Sequence, residues 1–404
     1  VPERIFVTGM GIISALGKNL PETFDALVNQ RSGIGNIRHL NTIHQDKIPV
    51  AEVAQTNDEL AVLCGLEHRN DLTRTTLLAL IAVNEAIKNA QLTDFSNTGL
   101  ISANTVGGMD KSEQYYYDYL KLKKFNPFIS TSDCADSTEK VADLFGIDEF
   151  VTTISTACSS ASNAVLLGAR MIQNGTLKRV IVGGTECLTK FHLNGFNSLK
   201  ILDYDPCKPF DKNRAGINLG EGAAYIVLES EEIAESKGKE YFFELKGWGN
   251  TCEAFHQTAS SPEGDGAYLA MKKALEMSGL QPADIAYINA HGTGTDNNDI
   301  SEGRAIERLF APHIPLVSST KPYTGHTTSA AGTVESIITL LGMKYNMVFP
   351  NLNFKEQMPE FSFSPVNQLI TEIQLKHTLS NSFGFGGNNT TLIFSKCNIH
   401  KSDF

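Results

Sequence analysis

The sequence predicts an α/β architecture built from two related halves, and three observations carry that reading. Short strand-like runs rich in β-branched and aromatic residues alternate with apolar runs at helical spacing along the 404 residues, the pattern of largely buried sheets covered by helices. A strand carrying Gly9-Met10-Gly11 has a counterpart carrying Gly247-Trp248-Gly249, and similar elements follow each copy. Cys158 stands where a strand turns sharply into a helix.

Taken in order, residues 4–14 read as a buried strand. An insertion over 36–73 precedes an apolar helix over 75–90, then Gln91-Leu92-Thr93-Asp94 and a strand around Leu100-Ile101-Ser102. Residues 149–154 are strand-like, and Ala161, Ala164, Val165, Gly168, Ala169 and Ile172 recur at helical spacing until Gly175 offers a stop. Strands are expected at 179–184 and 223–228. The second copy runs from a strand over 242–251 to a helix over 268–278, then Leu280 to Asp284 and a strand over 285–290. Residues 378–394 resemble hairpin arms. The expected division is 1–240, carrying the cysteine and cap insertions, and 241–404. The 36–73 insertion and the 115–128 stretch break the pattern and suit a lid, an interface or a pocket wall.

Composition narrows the function. A hydrophobic share of 41% and a charged share of 20% are ordinary for a globular protein. The net charge of -11 argues against sequence-independent nucleic-acid binding. No apolar run approaches the roughly 20 residues of a membrane span. The chain opens directly into its first strand, without the pattern of a secretory leader. Seven cysteines are scattered without Cys-x-x-Cys spacing, which suits neither a disulfide framework nor a zinc site. The expected location is cytoplasmic.

Four stretches carry chemistry. Amide donors and the helix dipole after Cys158 are expected to favour a thiolate, so Cys158 reads as a nucleophile or, alternatively, as a small core cysteine. His291-Gly292-Thr293-Gly294-Thr295 puts a histidine at a strand end beside glycines that permit close ligand approach; a plain turn is the alternative. Lys321 and His326 precede an apolar helix containing Glu335, or are simply a surface lysine and a capping histidine. The loop Phe383-Gly384-Phe385-Gly386-Gly387 joins two strand-like runs and lacks the strand-to-helix setting of a dinucleotide site.

In combination these motifs resemble the elongating β-ketoacyl-acyl carrier protein synthases of the thiolase superfamily, synthase II above all. The resemblance runs from Val7-Thr8-Gly9-Met10-Gly11 to Asn388-Asn389-Thr390-Thr391. It includes Thr156-Ala157-Cys158-Ser159, Pro209-Phe210-Asp211-Lys212-Asn213-Arg214, Gly220-Glu221-Gly222-Ala223, His291 to Thr295, and Thr320-Lys321 with Gly325-His326. It implies a thiolase fold with duplicated halves in a five-layered α/β/α/β/α core, usually as a homodimer. Cys158 would take an acyl chain from acyl carrier protein, with the Cys158 and Phe385 amides as oxyanion hole. His291 and His326 would bind and decarboxylate the malonyl unit, supported by Lys321 and Glu335, with the His326 tautomer set by what its Nδ1 meets. Thr293 and Thr295 would hold the pantetheine arm, and Phe385 with Phe383 would gate the acyl pocket. No cofactor or metal is required.

Some residues depart from that pattern. Asp296 stands where many relatives carry proline, and Asn388 where threonine is common. In the expected pocket wall, Met109 is followed by polar Asp110, Lys111 and Ser112 and by Tyr115-Tyr116-Tyr117, which suits a polar, aryl or conjugated chain if these side chains face the pocket; solvent or a dimer interface is the alternative. Arg69, Arg74, Lys208, Lys212 and Arg214 are the expected contacts for the acidic carrier, with Lys121, Lys123 and Lys124 as lesser candidates. A thiolase would carry a second cysteine in the 383–389 loop, and an initiating synthase an asparagine in place of the second histidine. The other readings are a ketosynthase of a specialised polyene or polyketide pathway and a chain-length partner subunit, which generally lacks the nucleophile. The partner could be an identical chain or a related subunit.

Overall fold

The structure is a computed structural model, and it describes residues 3–123, 126–236 and 243–397. Five strands of the first half lie in the order Phe150–Ile154, Thr98–Ala103, Arg179–Glu186, Gly222–Ser230, Ile5–Ser14. Five of the second lie in the order Leu316–Ser318, Tyr287–Asn289, His377–Gly384, Asn388–Lys396, Phe243–Cys252. Numbered along the chain, both read third, second, fourth, fifth, first, with the first three parallel and the last two joined antiparallel. The two units meet where Phe6 and Val7 pair with Glu244 and Phe243. The expected boundary at 240/241 lies outside the described residues.

The repeated glycines have one physical reason. A Cβ on Gly9 or Gly11 would come within 2.5 and 2.1 Å of the Ala86 and Ala82 carbonyls of the helix Arg74–Asn89. On Gly247 or Gly249 it would meet the Ala274 and Ala270 carbonyls of the helix Asp265–Ser278 at the same two distances. Each half thus seats an outer helix directly on its first strand, and only glycine allows that approach. Between the two five-stranded arms of this single ten-stranded sheet lie Ser160–Gln173 and Ala331–Tyr345, which pack on each other and on strands of both halves. The second is buried from Ala331 to Met343, as a helix enclosed on both sides must be. Outer helices, sheet, middle helices, sheet and outer helices make five layers.

The insertion over 36–73 contains a helix, Asn57–Cys64, started by a capping box of Thr56 and Glu59. The aromatic stretch forms the helix Met109–Leu122, whose Tyr115 stacks on Phe128 at 5.4 Å. Among the described residues no helix is long and apolar enough to cross a membrane.

Candidate active site

The strand Phe150–Ile154 stops four residues before Cys158, and the helix Ser160–Gln173 starts two residues after it. The turn is made by Ala157 at φ +53, an uncommon backbone state for a residue with a Cβ. Hydroxyls hold it: Thr156 N–H donates to Ser160 Oγ at 2.8 Å, and Ser160 Oγ donates to the Ala157 carbonyl at 2.6 Å. Cys158 is thereby buried with its Sγ 2.9 Å from His326 Nε2.

His291 reaches the same point from the end of Tyr287–Asn289. Its ring lies 5.4 Å from that of His326, nearly perpendicular to it, and Cys158, His291 and His326 each bring one donor atom within 4.8 Å of the others. Two carboxylates fix this loop by accepting its amides. Glu302 takes the His291 and Gly292 N–H groups at 2.9 and 2.8 Å, and Asp299 takes those of Thr293 and Gly294 at 3.1 and 3.2 Å. His326 is clasped by its backbone, which donates to the Asn218 carbonyl at 2.8 Å and accepts from Gly220 N–H at 2.9 Å.

Behind His291 sits Lys321, fully buried, with Nζ 3.2 Å from His291 Nδ1 and bonded also to the His291 carbonyl and to Glu335. A lysine donating to Nδ1 leaves the proton of neutral His291 on Nε2. Burial pushes both imidazoles well below the usual histidine range, and Lys321 adds to the shift. Burial raises Glu335 to about 7, against the downward pull of Lys321. His326 Nδ1 has no hydrogen-bond partner among the described residues, so nothing there sets its tautomer as the sequence reading expected.

The expectation of a ready thiolate is not met. Burial pushes the Cys158 thiol up to about 11, more than Lys321 and the Phe385 and Cys158 N–H groups pull it down. The Phe385 and Cys158 N–H groups, expected to form an oxyanion hole, are the two backbone groups that pull the thiol's pKa down. Phe385 is half-buried and stacks on Phe196 at 5.9 Å, while Phe383 is buried 5.9 Å from the His291 ring. Gly386 and Gly387, at φ +84 and +81, bend the loop. From Cys158 a cleft runs to the surface past Phe385, Thr293, Thr295, Asn297 and Lys200.

Other expected residues are elsewhere. Met109, Lys111 and Ser112 do not line this cleft. Ser112 Oγ donates to the Phe128 carbonyl at 2.9 Å, and Lys111 Nζ lies 5.5 Å from the Phe128 ring centre. Arg74 is buried against Glu221 with further bonds to Val53, Gln55 and Asn57, and cannot meet a carrier. The Arg214 side chain is 5% exposed between Asp296 and Asp299. Arg69 pairs with Asp71, and Lys212, exposed, with Glu356. Lys208 is half-buried, Lys121 and Lys123 are exposed, and Lys124 lies outside the described residues. Sequence reasoning missed Asp299, Glu302 and Lys200. Acids on the buried face of the helix Asp296–Phe310 are a signal for the first two, because buried carboxylates need partners. Lys200, exposed at φ +57, has no local signal.

Comparison with known proteins agrees with this geometry. The family profile "Beta-ketoacyl synthase, N-terminal domain" matches residues 2–234 and "Beta-ketoacyl synthase, C-terminal domain" matches 242–355. The chain is 32% identical over 410 aligned positions to 3-oxoacyl-[acyl-carrier-protein] synthase 2 of Staphylococcus aureus strain COL, covering 98% of both chains. It is 34% identical to the protein of that name from a Synechocystis strain, again over 98% of both. Among solved structures, the ishigamide ketosynthase/chain length factor superposes with a TM-score of 0.91 at 26% identity, over 98% of this chain and 100% of the other. A ketosynthase in complex with its chain length factor from Xenorhabdus doucetiae gives 0.85 at 28% identity, over 98% of each. The chain has the thiolase fold and belongs to the beta-ketoacyl synthase family of acyl-transferring condensing enzymes.

Proposed function

We propose that the protein is a β-ketoacyl-acyl carrier protein synthase that carries the growing acyl chain on Cys158 and extends it by two carbons. The observation that carries this is the convergence of Cys158, His291 and His326 with the Phe385 amide at the closed end of one cleft. In the first step the Cys158 sulfur attacks the thioester carbonyl of acyl carrier protein, and the oxyanion sits between the Cys158 and Phe385 N–H groups. Pantetheine thiolate leaves and takes up the proton that Cys158 lost. In the second step the malonyl carrier's carbon–carboxylate bond breaks and carbon dioxide departs. The electron pair forms an enolate whose oxygen accepts from the His291 and His326 Nε2–H groups. Both imidazoles are neutral in this scheme, in keeping with their lowered pKa values. The enolate carbon attacks the acyl-Cys158 carbonyl, the thiolate leaves, and a proton from solvent restores the thiol. Lys321 and Glu335 hold His291 in its tautomer. The proposed chemistry needs neither organic cofactor nor metal.

Thr293 and Thr295, whose hydroxyls are 2.8 Å apart in the cleft wall, would bind the pantetheine arm. Lys200 at the mouth, with Lys208 and Lys212, would meet the acidic carrier in place of Arg74 and Arg214. Dimerisation is supported by the outer edge of the strand Phe150–Ile154, which ends the sheet with half-buried side chains. Exposed Tyr116, Tyr117, Leu120 and Leu122 also support it. The partner would be a second copy or a related subunit. Seven free cysteines suit a reducing, cytoplasmic setting.

The product serves fatty acid synthesis, in line with the names of the relatives. The second reading, a ketosynthase of a specialised polyketide or polyene pathway, draws support from the ketosynthase/chain length factor structures among the neighbours. Intact-protein mass spectrometry with a panel of acyl carriers, followed by malonyl carrier, separates these. An acyl adduct on the native chain, absent from Cys158→Ala and released two carbons longer, is the expected result, and the preferred acyl group names the pathway. A folded protein with no adduct would leave a partner-subunit role.

A further inference from the structure

The turn that presents Cys158 and the loop that presents Phe385 come from different halves, 227 residues apart in the chain, yet their two amides must aim at one atom. Backbone contact alone sets their approach but not their angle. Gly384 packs against the turn, where a Cβ would lie 2.8 Å from the Thr156 carbonyl and 3.3 Å from Cys158 N. A separate polar cluster joins the two segments. Asn388 Oδ1, three residues after Phe385, accepts from Ser159 Oγ at 2.8 Å, from Asn163 Nδ2 at 2.8 Å and from Asn250 Nδ2 at 3.0 Å. Asn163 Oδ1 accepts from Thr390 Oγ1 at 2.8 Å and from Asn250 Nδ2 at 2.9 Å, and Asn163 Nδ2 also donates to Thr156 Oγ1 at 2.8 Å.

One amide oxygen thus receives donors from the residue after the nucleophile, from the helix Ser160–Gln173 and from the strand Phe243–Cys252. None of these groups touches Cys158 Sγ or reaches the cleft, so packing at the reacting atoms does not account for them. We infer that Asn388 is a positioning residue: it fixes the Phe385 amide relative to the Cys158 amide, and so serves acyl transfer to and from the sulfur but not malonyl decarboxylation. The inference rests on the proposed reading of Cys158 as the acyl carrier. Its selectivity follows from the geometry, because His291 and His326 are anchored by other groups, Glu302, Lys321, Asn218 and Gly220. A polar hub matters in this way because its one acceptor ties three segments together. Each donor keeps a second partner, Thr156 for Ser159 and for Asn163, and Asn163 for Asn250, so loss of the acceptor frees the segments without stranding a donor.

The test compares two half-reactions in the full-length protein. Asn388→Leu keeps the bulk and removes the acceptor, Asn388→Thr keeps an acceptor, and Ser159→Ala removes a single donor. Acylation of Cys158 from an acyl carrier is followed by intact mass, and decarboxylation of malonyl carrier by carbon dioxide release. For Asn388→Leu the inference expects acylation to slow about 10- to 100-fold, in the range of small misplacements of reacting groups, with decarboxylation within about twofold. Asn388→Thr should recover most of the rate, and Ser159→Ala should show a smaller loss with the same selectivity. If Asn388→Leu does not fold, Ser159→Ala and Asn388→Thr carry the comparison. Equal loss of both half-reactions, or unchanged acylation, overturns the inference. Acylation of the native protein, measured alongside, tests the functional reading separately.

Discussion

The two halves share one topology and put it to different uses. In each, the third strand runs into the long middle-layer helix, at Phe150–Ile154 before Ser160–Gln173 and at Leu316–Ser318 before Ala331–Tyr345. The first connection delivers Cys158 and the second delivers Lys321 and His326. After the second strand, the first half has Asn104, which accepts the Val106 amide at 3.1 Å in a structural turn, whereas the second half has His291. Each half also buries a cation–carboxylate pair, in addition to Arg179–Glu229 in the first. Arg74–Glu221 ties the cap insertion to the first half through Val53 and Gln55, while Lys321–Glu335 stands against a reacting histidine. Duplication supplied equivalent positions, and in the proposed mechanism the chemistry divides between them: a nucleophile on one side, enolate-stabilising donors on the other.

This division can be broken in graded steps. Cys158→Ala should lower condensation by at least about 10⁴-fold, since among the described residues lining the cleft Cys158 is the one thiol. Steady-state product formation checks it. Breaking the structural pair with Arg74→Met should cost about 3–5 kcal/mol of stability, because Glu221 is left charged and buried; denaturant unfolding reads this, and kcat of the folded fraction should change little. Lys321→Met should instead lower the decarboxylation rate by about 10- to 100-fold by freeing the His291 tautomer. A subtler test concerns the thiol. With its pKa near 11, the ionised fraction of Cys158 grows by about tenfold per pH unit from 6 to 9. Iodoacetamide alkylation should therefore climb throughout that range; a plateau below pH 8 would mean a preformed thiolate. Smallest of all, Lys200→Glu should raise the apparent KM for carrier-bound substrate by about 3- to 10-fold, without altering that for small thioester mimics.

The sequence made the duplication legible through Gly9, Gly11, Gly247 and Gly249, because a missing Cβ leaves the same mark wherever a helix lies on a strand. It also placed Cys158 and His291 shortly after strands, whereas His326, expected to end one, follows the short helix Lys321–Thr324. It did not reveal that Arg74 is internal: the partner, Glu221, is 147 residues away, and a cation at a helix start looks like a surface residue. The state of the Cys158 thiol was misread for a related reason. The helix N-terminus and amides are local features, whereas the burial that outweighs them comes from both halves packed together. Met109, Lys111 and Ser112 were assigned by position in a motif, and Lys111 and Ser112 meet Phe128, on a segment whose packing no periodicity announces.

The most direct measurement separates the two halves' contributions in one experiment. Cys158→Ala and His326→Ala are each assayed for acyl adduct formation and for carbon dioxide release from malonyl carrier. The account predicts a crossed pattern: Cys158→Ala forms no adduct yet still releases carbon dioxide, while His326→Ala still acylates, more slowly, and releases almost none. Loss of both activities in both folded variants would contradict a division of labour between the halves.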